Sequence, residues 1–192
     1  MSDPRFMAQH GEDRWILENL KPPTGFFIEV GAYNGYNCSN TLAFEDLGWH
    51  GICVEPDPIM AAQCTRAREA KTLCAAVGDR SHCISTFMVN KEDRGLSGFF
   101  QKWPDEILVP VVTLEDLFMC CPDFHCDLLS IDTEGTELEV WGTGGLFRPN
   151  IVIMEYQTRD LPSQEYVVIK RMNSDGYQQV HRTEHNLIFT RA

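Results

Sequence analysis

The chain has 192 residues, 43% of them hydrophobic, which is enough for one substantial core. Lysine and arginine number 16 against 28 aspartates and glutamates, so the formal net charge is −12. A surface this acidic repels nucleic-acid phosphates and anionic lipid head groups, and we therefore expect neither a nucleic-acid nor a membrane partner. The eight cysteines form no CxxC pair, which argues against a disulfide framework or a zinc ribbon.

The amino-terminal segment, residues 1–24, is predicted to form a helix that packs on the core. QHGEDRWILENL places Trp15, Ile16 and Leu20 on one helical face, with acids suited to the helix start. The alternative is that Gln9 or a neighbouring acid closes over a bound ligand. The first residues lack a secretory signal, and no apolar run approaches the ~20 residues of a membrane span, so we expect a cytoplasmic protein.

Beyond residue 25, short apolar runs alternate with amphipathic segments, as in GFFIEVG, SNTLAFEDLG and GICVEP. This alternation predicts parallel strands joined by crossover helices, an α/β fold. Two further runs, CDLLSIDTEG and NIVIMEY, predict core strands, and the carboxyl terminus predicts a helix followed by a closing hairpin. We expect one domain over 1–192, with the polar, glycine-containing stretch 91–106 forming a loop on the acceptor side.

FFIEVGAYNGYNCSNT, residues 26–41, carries the first candidate site. Glu29 lies inside an apolar run, where an unpaired charge is costly, and a ligand could be its partner. In an open parallel sheet, the first strand-to-helix turn usually contacts the ligand, and Glu55 follows where an acid can accept hydrogen bonds from a ribose diol. The candidate cofactor contacts are Glu29, Gly31, Ala32, Tyr33, Asn34, Gly35, Glu55 and Pro56.

Charge decides between two kinds of ligand at this turn. The dinucleotide fingerprint GxGxxG is broken, because Tyr33 occupies its middle glycine position. Glu29, Glu55 and Asp132 would repel a diphosphate but attract the sulfonium and ammonium groups of S-adenosylmethionine. This favours a methyltransferase over a nicotinamide-dependent oxidoreductase of Rossmann type, which remains an alternative together with a non-catalytic binding module.

The second informative stretch, CDLLSIDTEGTELEVW, delivers Asp132 and Glu134 to the carboxyl edge of a strand. A purely structural explanation is that these acids lie at the start of a helix and on its solvent-exposed face. That explanation suits Glu137 and Glu139 but not Asp132, which belongs to the strand. Asp132 and Glu134 are therefore also candidate cofactor contacts.

Taken together, FFIEVGAYNGYNCSNT, GWHGICVEPDP, VVTLEDLF and LLSIDTEGTELEVW resemble the FkbM-type family of S-adenosylmethionine-dependent methyltransferases. The upstream QHGED is similar to the lead-in of some members. The resemblance implies a Rossmann-like class I fold with seven strands, the last inserted antiparallel, and helices on both faces of the sheet. It also implies methyl transfer to a hydroxyl oxygen of a small-molecule or glycan acceptor.

Methylation of a hydroxyl requires a base to take its proton or a metal to lower its pKa. Asp132 is the first candidate, as a base or as a metal ligand. Glu155, at the end of the next strand, could share a divalent cation such as Mg or Mn with Asp132, because both offer oxygen ligands. Alternatively, Glu134 or Glu155 only orients the methionine amine or caps a helix. His185 is the second candidate base.

Three further residues are candidate cofactor contacts. Asn40 follows the first turn, where it caps a helix or reaches the cofactor carboxylate. Asp79 follows the third strand, in a position to read an adenine amino group. Gln9 belongs to the lead-in segment and could close over the ligand.

Overall fold

The computed structural model describes residues 3–80, 83–99, 101–156 and 163–192. Within these residues it contains ten strands: β1 Phe26–Val30, β2 His50–Val54, β3 Lys71–Leu73, β4 Ala76–Val77, β5 Cys83–Val89, β6 Asp105–Val112, β7 Leu128–Ile131, β8 Ile151–Glu155, β9 Tyr177–Arg182 and β10 Asn186–Arg191. The helices of the described part are α1 Glu12–Asn19, α2 Leu42–Asp46, α3 Pro58–Ala67, α4 Leu114–Met119, α5 Glu137–Gly142 and α6 Ser163–Ser174.

Seven strands form one sheet in the order β3-β2-β1-β7-β8-β10-β9. The first five run parallel, whereas β10 is antiparallel to both β8 and β9. The mostly parallel seven-stranded sheet with a carboxyl-terminal hairpin is thus confirmed. The chain leaves β1 toward β2 on one side and later returns to β7 on the other, so the strand order reverses there and opens a crevice at the carboxyl ends.

Helices cover both faces of this sheet. Successive side chains of a strand point to opposite faces, so neighbouring residues of β1 pack against different helices. Ile28 and Val30 belong to a buried cluster that includes side chains of α4, α5 and α6. Phe27 belongs to a second cluster, with side chains of α1, α2 and α3. The residues of β7 are buried along its whole length, as expected for a strand covered on both sides.

A second, three-stranded sheet has the order β4-β6-β5. The apolar run KTLCAAVG, which reads as one strand, is divided between the two sheets: β3 pairs with β2 and β4 pairs with β6. Burial alternates along the first part of β6, and the exposed Leu108 and Pro110 show that one face of this sheet is open to solvent. This small sheet matters because it forms part of a wall of the cleft.

Helix α1 packs on the core through Ile16, and its two acids are buried rather than solvated. Glu12 accepts hydrogen bonds from Thr183 Oγ1 at 2.7 Å and Asn186 Nδ2 at 2.9 Å, which fastens the amino-terminal segment to the hairpin. Asp13 accepts hydrogen bonds from two backbone amides of the preceding segment, and burial raises its pKa.

All eight cysteines are free thiols, and four of them are exposed. None of the helices in the described residues combines the length and the apolar character needed to cross a bilayer.

Candidate functional site

A cleft of about 250 Å³ lies at the carboxyl ends of β1, β2 and β7, where the strand order reverses. Nine of the predicted cofactor residues line it: Gln9, Glu29, Gly31, Ala32, Tyr33, Glu55, Pro56, Asp132 and Glu134. The sequence therefore located the cleft through the two turns that follow β1 and β7.

Gly31 is required by the close approach of these two turns. Its φ is +80°, and a Cβ added there would lie 1.7 Å from the carbonyl oxygen of Asp132. The sequence suggested that this glycine admits a ligand, but the neighbouring backbone already occupies the space. The glycine therefore brings the turn after β1 directly against Asp132.

Glu29 is paired with protein groups, not left for a ligand. One carboxylate oxygen lies 3.0 Å from Arg68 Nη1, and both side chains are almost fully buried. The same carboxylate accepts hydrogen bonds from Ser39 Oγ, Asn40 N and Thr41 Oγ1. Glu29 thus fixes the segment that follows the first turn, with Arg68 balancing its charge.

Glu55 connects the first turn to the start of α3. Its carboxylate oxygens accept hydrogen bonds from Tyr33 N and Asp57 N, each at 2.8 Å. Burial raises the pKa of Glu55 to about 8, against the lowering effect of these two amides. The negative charge that the sequence predicts from three acids is therefore smaller, since Arg68 balances Glu29 and Glu55 holds a proton near neutral pH.

Asp132 and Glu155 form a carboxyl pair at the ends of β7 and β8. Burial raises the pKa of Asp132, with repulsion from Glu137 adding to it, and burial followed by repulsion from Asp132 raises the pKa of Glu155. One oxygen of each side chain lies within 4.8 Å of one oxygen of the other. Two carboxyls this close cannot both ionise easily, so the pair retains a proton into the neutral range.

The acids at this edge are also close enough to surround a small cation. One oxygen each of Asp132, Glu134 and Glu155 lies within 4.8 Å of the others. Carboxylate oxygens suit Mg²⁺ or Mn²⁺, but the proton shared by Asp132 and Glu155 would have to leave first.

Six of the predicted site residues do not line the cleft in the described part of the chain. Asn34 accepts hydrogen bonds from the amides of Tyr36 and Asn37 and so closes the turn. The side chain of Asn40 donates to Ser130 Oγ at 3.0 Å. Their predicted contacts with a cofactor gain no support from this geometry.

Three more of these residues, Gly35, Asp79 and His185, also contact neighbours outside the cleft. Gly35 packs against α3, since an added Cβ would lie 2.7 Å from Cys64 Sγ. Asp79 is 74% exposed beside Arg80. His185 lies next to His10, with ring centroids 4.9 Å apart, beyond the cleft lining. The sixth, Glu155, is not part of the lining, but one of its oxygens lies within 4.8 Å of one oxygen each of Asp132 and Glu134.

The stretch 91–106 covers the cleft with six residues: Asp93, Arg94, Gly95, Leu96, Ser97 and Phe99. It is anchored on both sides, because Arg94 contacts Asp57 and Gln101 Nε2 donates to the carbonyl of Glu134 at 3.0 Å. Strand β6 begins at Asp105, so the covering segment ends before residue 106.

Sequence reasoning missed two parts of the lining. Thr136 is buried, and its Oγ1 has no hydrogen-bond partner among the described residues. The sequence could have indicated Thr136 through its position, because it directly precedes helix α5. An apolar wall comes from Ala76, Phe87 and Phe99, which pack together at the small sheet. Phe99 belongs to the stretch 91–106 that the sequence placed at the site, whereas the positions of Ala76 and Phe87 were not predictable, because they depend on the division of the strands between two sheets.

The chain belongs to the methyltransferase FkbM domain family, whose profile matches residues 29–178. The resemblance seen in the sequence is thereby confirmed, and the protein is an S-adenosylmethionine-dependent methyltransferase rather than a nicotinamide-dependent oxidoreductase. No curated protein sequence matches the chain significantly.

Solved structures of similar fold are methyltransferases at very low identity. Precorrin-6y C5,15-methyltransferase from Geobacter metallireducens GS-15 is 11% identical, with 99% of this chain and 93% of that chain covered and a TM-score of 0.55. A candidate RNA methyltransferase from Pyrococcus horikoshii is also 11% identical, with 94% and 83% covered and a TM-score of 0.53. A candidate caffeoyl-CoA O-methyltransferase from Staphylococcus aureus is 12% identical, with 94% and 80% covered and a TM-score of 0.52. These likenesses establish the Rossmann-like class I fold.

Proposed function

We propose that this protein methylates a hydroxyl oxygen, that of a sugar or glycan, in the cytoplasm. The observation that carries the proposal is the half-buried carboxyl pair of Asp132 and Glu155 beside the turn after β1. S-adenosylmethionine supplies a methyl group on a positively charged sulfur, open to in-line attack by an oxygen lone pair. The protein must hold the acceptor oxygen in line and remove its proton.

Asp132 is suited to take that proton. It lines the cleft, and no ion pair with a lysine or arginine holds its charge within the described ranges. Its neighbour Glu155, whose pKa is raised further, holds the proton of the pair and leaves Asp132 ionised, while burial keeps that carboxylate basic. When the acceptor oxygen takes the methyl group, the carbon–sulfur bond would break with both electrons going to sulfur, which would leave as the neutral thioether of S-adenosylhomocysteine. The hydroxyl proton would pass to Asp132, which becomes neutral, and the methylated acceptor would also be neutral.

The remaining lining offers separate polar and apolar surfaces for the methyl donor. Glu55 has free lone pairs after accepting its two backbone amides and can receive the hydroxyls of a ribose. Thr136 presents an unpartnered hydroxyl for a carboxylate or ammonium group. The wall of Ala76, Phe87 and Phe99 suits a flat adenine ring.

The acceptor side is lined by the segment from Asp93 to Phe99 and by Glu134. Acids and hydroxyls here favour a neutral polyol, whose hydroxyls donate to carboxylates. The net charge of −12 opposes the approach of a polyphosphate, which supports a small-molecule or glycan acceptor over a nucleic acid.

Two measurements test this function. Calorimetry with S-adenosylhomocysteine should show binding at about micromolar affinity, near −8 kcal/mol. Transfer of a radiolabelled methyl group to a panel of sugars and glycans should then yield O-methyl products. Binding without transfer to any hydroxyl would indicate a binding module instead, and methylation only of nitrogen or carbon would refute O-methylation.

The same assay decides between the two roles of the acids. Loss of transfer in EDTA, restored by Mg²⁺ or Mn²⁺, would assign Asp132 and Glu155 to a metal site. Transfer that is indifferent to EDTA would leave Asp132 as the base.

A further inference from the structure

A cluster of nitrogen and oxygen ligands lies outside the cleft, between the lead-in segment and the hairpin. It consists of His10, Glu184 and His185, each of which offers one ligand atom within 4.8 Å of the others. The imidazole rings of the two histidines are 4.9 Å apart and tilted by 48°. His185 Nε2 lies 3.8 Å from Glu184 Oε1, so the carboxylate already faces the ring.

The imidazole of His10 has an unused nitrogen. Its Nε2 atom is buried and has no hydrogen-bond partner in the part of the chain that the structure describes. A buried nitrogen without a partner costs free energy unless something else engages it. One ring nitrogen of His10 lies within 4.8 Å of one ligand atom each of Glu184 and His185, so the three side chains are close enough to share a ligand.

The backbone around the cluster is fixed by protein groups. The carboxylate of Glu12 accepts a hydrogen bond from His10 N at 3.0 Å and also binds the side chains of Thr183 and Asn186, on either side of the cluster's hairpin residues. The carbonyl of His185 accepts a hydrogen bond from Tyr156 N at 2.8 Å. The two segments that supply the ligands are therefore held together without any ion.

We propose that His10, Glu184 and His185 bind one divalent transition-metal ion of the zinc type. Two imidazoles and a carboxylate are a ligand set that zinc accepts, with water in the fourth position. Bonds of about 2.1 Å require ligand atoms about 3.4 Å apart, so a small closure of the exposed Glu184 side chain completes the site. The nitrogen ligands separate it from the all-oxygen cluster at Asp132, which suits Mg²⁺ or Mn²⁺.

An ion bound here would cross-link two segments at the edge of the cleft. Gln9, which precedes His10, lines the cleft, and Asn186, which follows His185, is paired in register with Glu155. The site therefore joins the lead-in segment to the strand edge that carries the carboxyl pair. Because an ion that binds only the folded chain stabilises it, zinc should raise the melting temperature.

The test is zinc binding to the full chain, freed of metal and kept reduced. Equilibrium dialysis should give one Zn²⁺ per chain. Because losing an outer-shell partner alone costs about 10- to 100-fold in metal affinity, losing a ligand should cost at least about tenfold. We expect that loss in His10→Ala and His185→Ala but not in His50→Ala, a matched control at an exposed histidine that opens β2.

Two results would overturn the site: no zinc bound at micromolar concentrations, or unchanged binding in the double variant His10→Ala/His185→Ala. The exposed thiols are a competing zinc site, and a thiolate-to-metal charge-transfer band after Co²⁺ substitution would also refute the proposal. If His10→Ala fails to fold, His185→Gln gives the same test, because that side chain is 34% exposed.

Discussion

Glu29 on β1 and Asp132 after β7 lie near each other at one edge of the sheet, yet the protein balances their charges differently. Glu29 faces the guanidinium of Arg68 at 3.0 Å and three further hydrogen-bond donors. Asp132 faces another acid, Glu155, and the pair is neutralised in part by a proton. A charge balanced by a guanidinium is permanent, whereas a charge balanced by a proton can change during a reaction.

The acids of this site therefore have two different roles, one structural and one in proton exchange. Glu29 fixes the turn, and its hydrogen bonds hold Ser39, Asn40 and Thr41 in place. The Asp132–Glu155 pair has the exchangeable proton that acid–base chemistry needs. Residue type alone does not distinguish the two, but their partners do.

The largest expected effect is on stability, from removal of the cation beside Glu29. Arg68→Met leaves two buried carboxylates, those of Glu29 and Glu45, without their cation and should lower the free energy of unfolding by about 3–5 kcal/mol. Urea denaturation measures this loss. The matched control is Arg5→Met, because Arg5 pairs with Asp46 at the surface and its side chain is 47% exposed. That change should cost only about 0–1 kcal/mol.

A double variant sharpens the same prediction. Glu29→Gln/Arg68→Met should be more stable than Arg68→Met alone, because only one of the two carboxylates that lose the guanidinium, that of Glu45, is still charged. If Arg68→Met were as stable as Arg5→Met, the inference that the Arg68 guanidinium neutralises the charge of Glu29 would be contradicted.

The sequence revealed the acids and placed Glu155 beside Asp132, but it did not reveal the partner of Glu29. Glu29 stood out as a charge in an apolar run, and the turn glycines and the end of β7 placed it beside Asp132. Arg68 lies 39 residues further along the chain, in the polar stretch TRARE, where it resembles any solvated arginine. Only the packing of α3 on the sheet brings its guanidinium to Glu29. The strand pattern was predictable because periodicity is local, whereas long-range pairing is not.

The next effect in size is on catalysis. Asp132→Asn keeps the shape of the side chain but removes the base, so turnover should fall at least about hundredfold. Binding of S-adenosylhomocysteine, measured by calorimetry, should persist. Asp79→Asn makes the same chemical change at an exposed side chain off the cleft and should leave turnover unchanged. Unchanged turnover in Asp132→Asn would remove Asp132 from the mechanism and leave the carboxyl pair with a structural role like that of Glu29.

The smallest effect concerns the third acid, Glu55, whose hydrogen-bond partners among the described residues are the backbone amides of Tyr33 and Asp57. Its pKa of about 8 means that it is protonated in the free protein at neutral pH. An ionised carboxylate accepts hydroxyl hydrogen bonds more strongly than a neutral carboxyl group, so a ribose should favour the ionised form. The affinity for S-adenosylhomocysteine should therefore rise with pH, by at most about tenfold per unit, and level off above pH 8.

Calorimetry across this pH range measures the slope, and the variant Glu55→Gln assigns it. Glutamine cannot ionise, so the part of the slope that belongs to Glu55 should disappear, and the affinity at high pH should fall. Glu18→Gln, at an exposed position of α1, should retain the wild-type profile. If Glu55→Gln also retained it, another group would control the pH dependence, and Glu55 would join Glu29 as an acid that only shapes the turn.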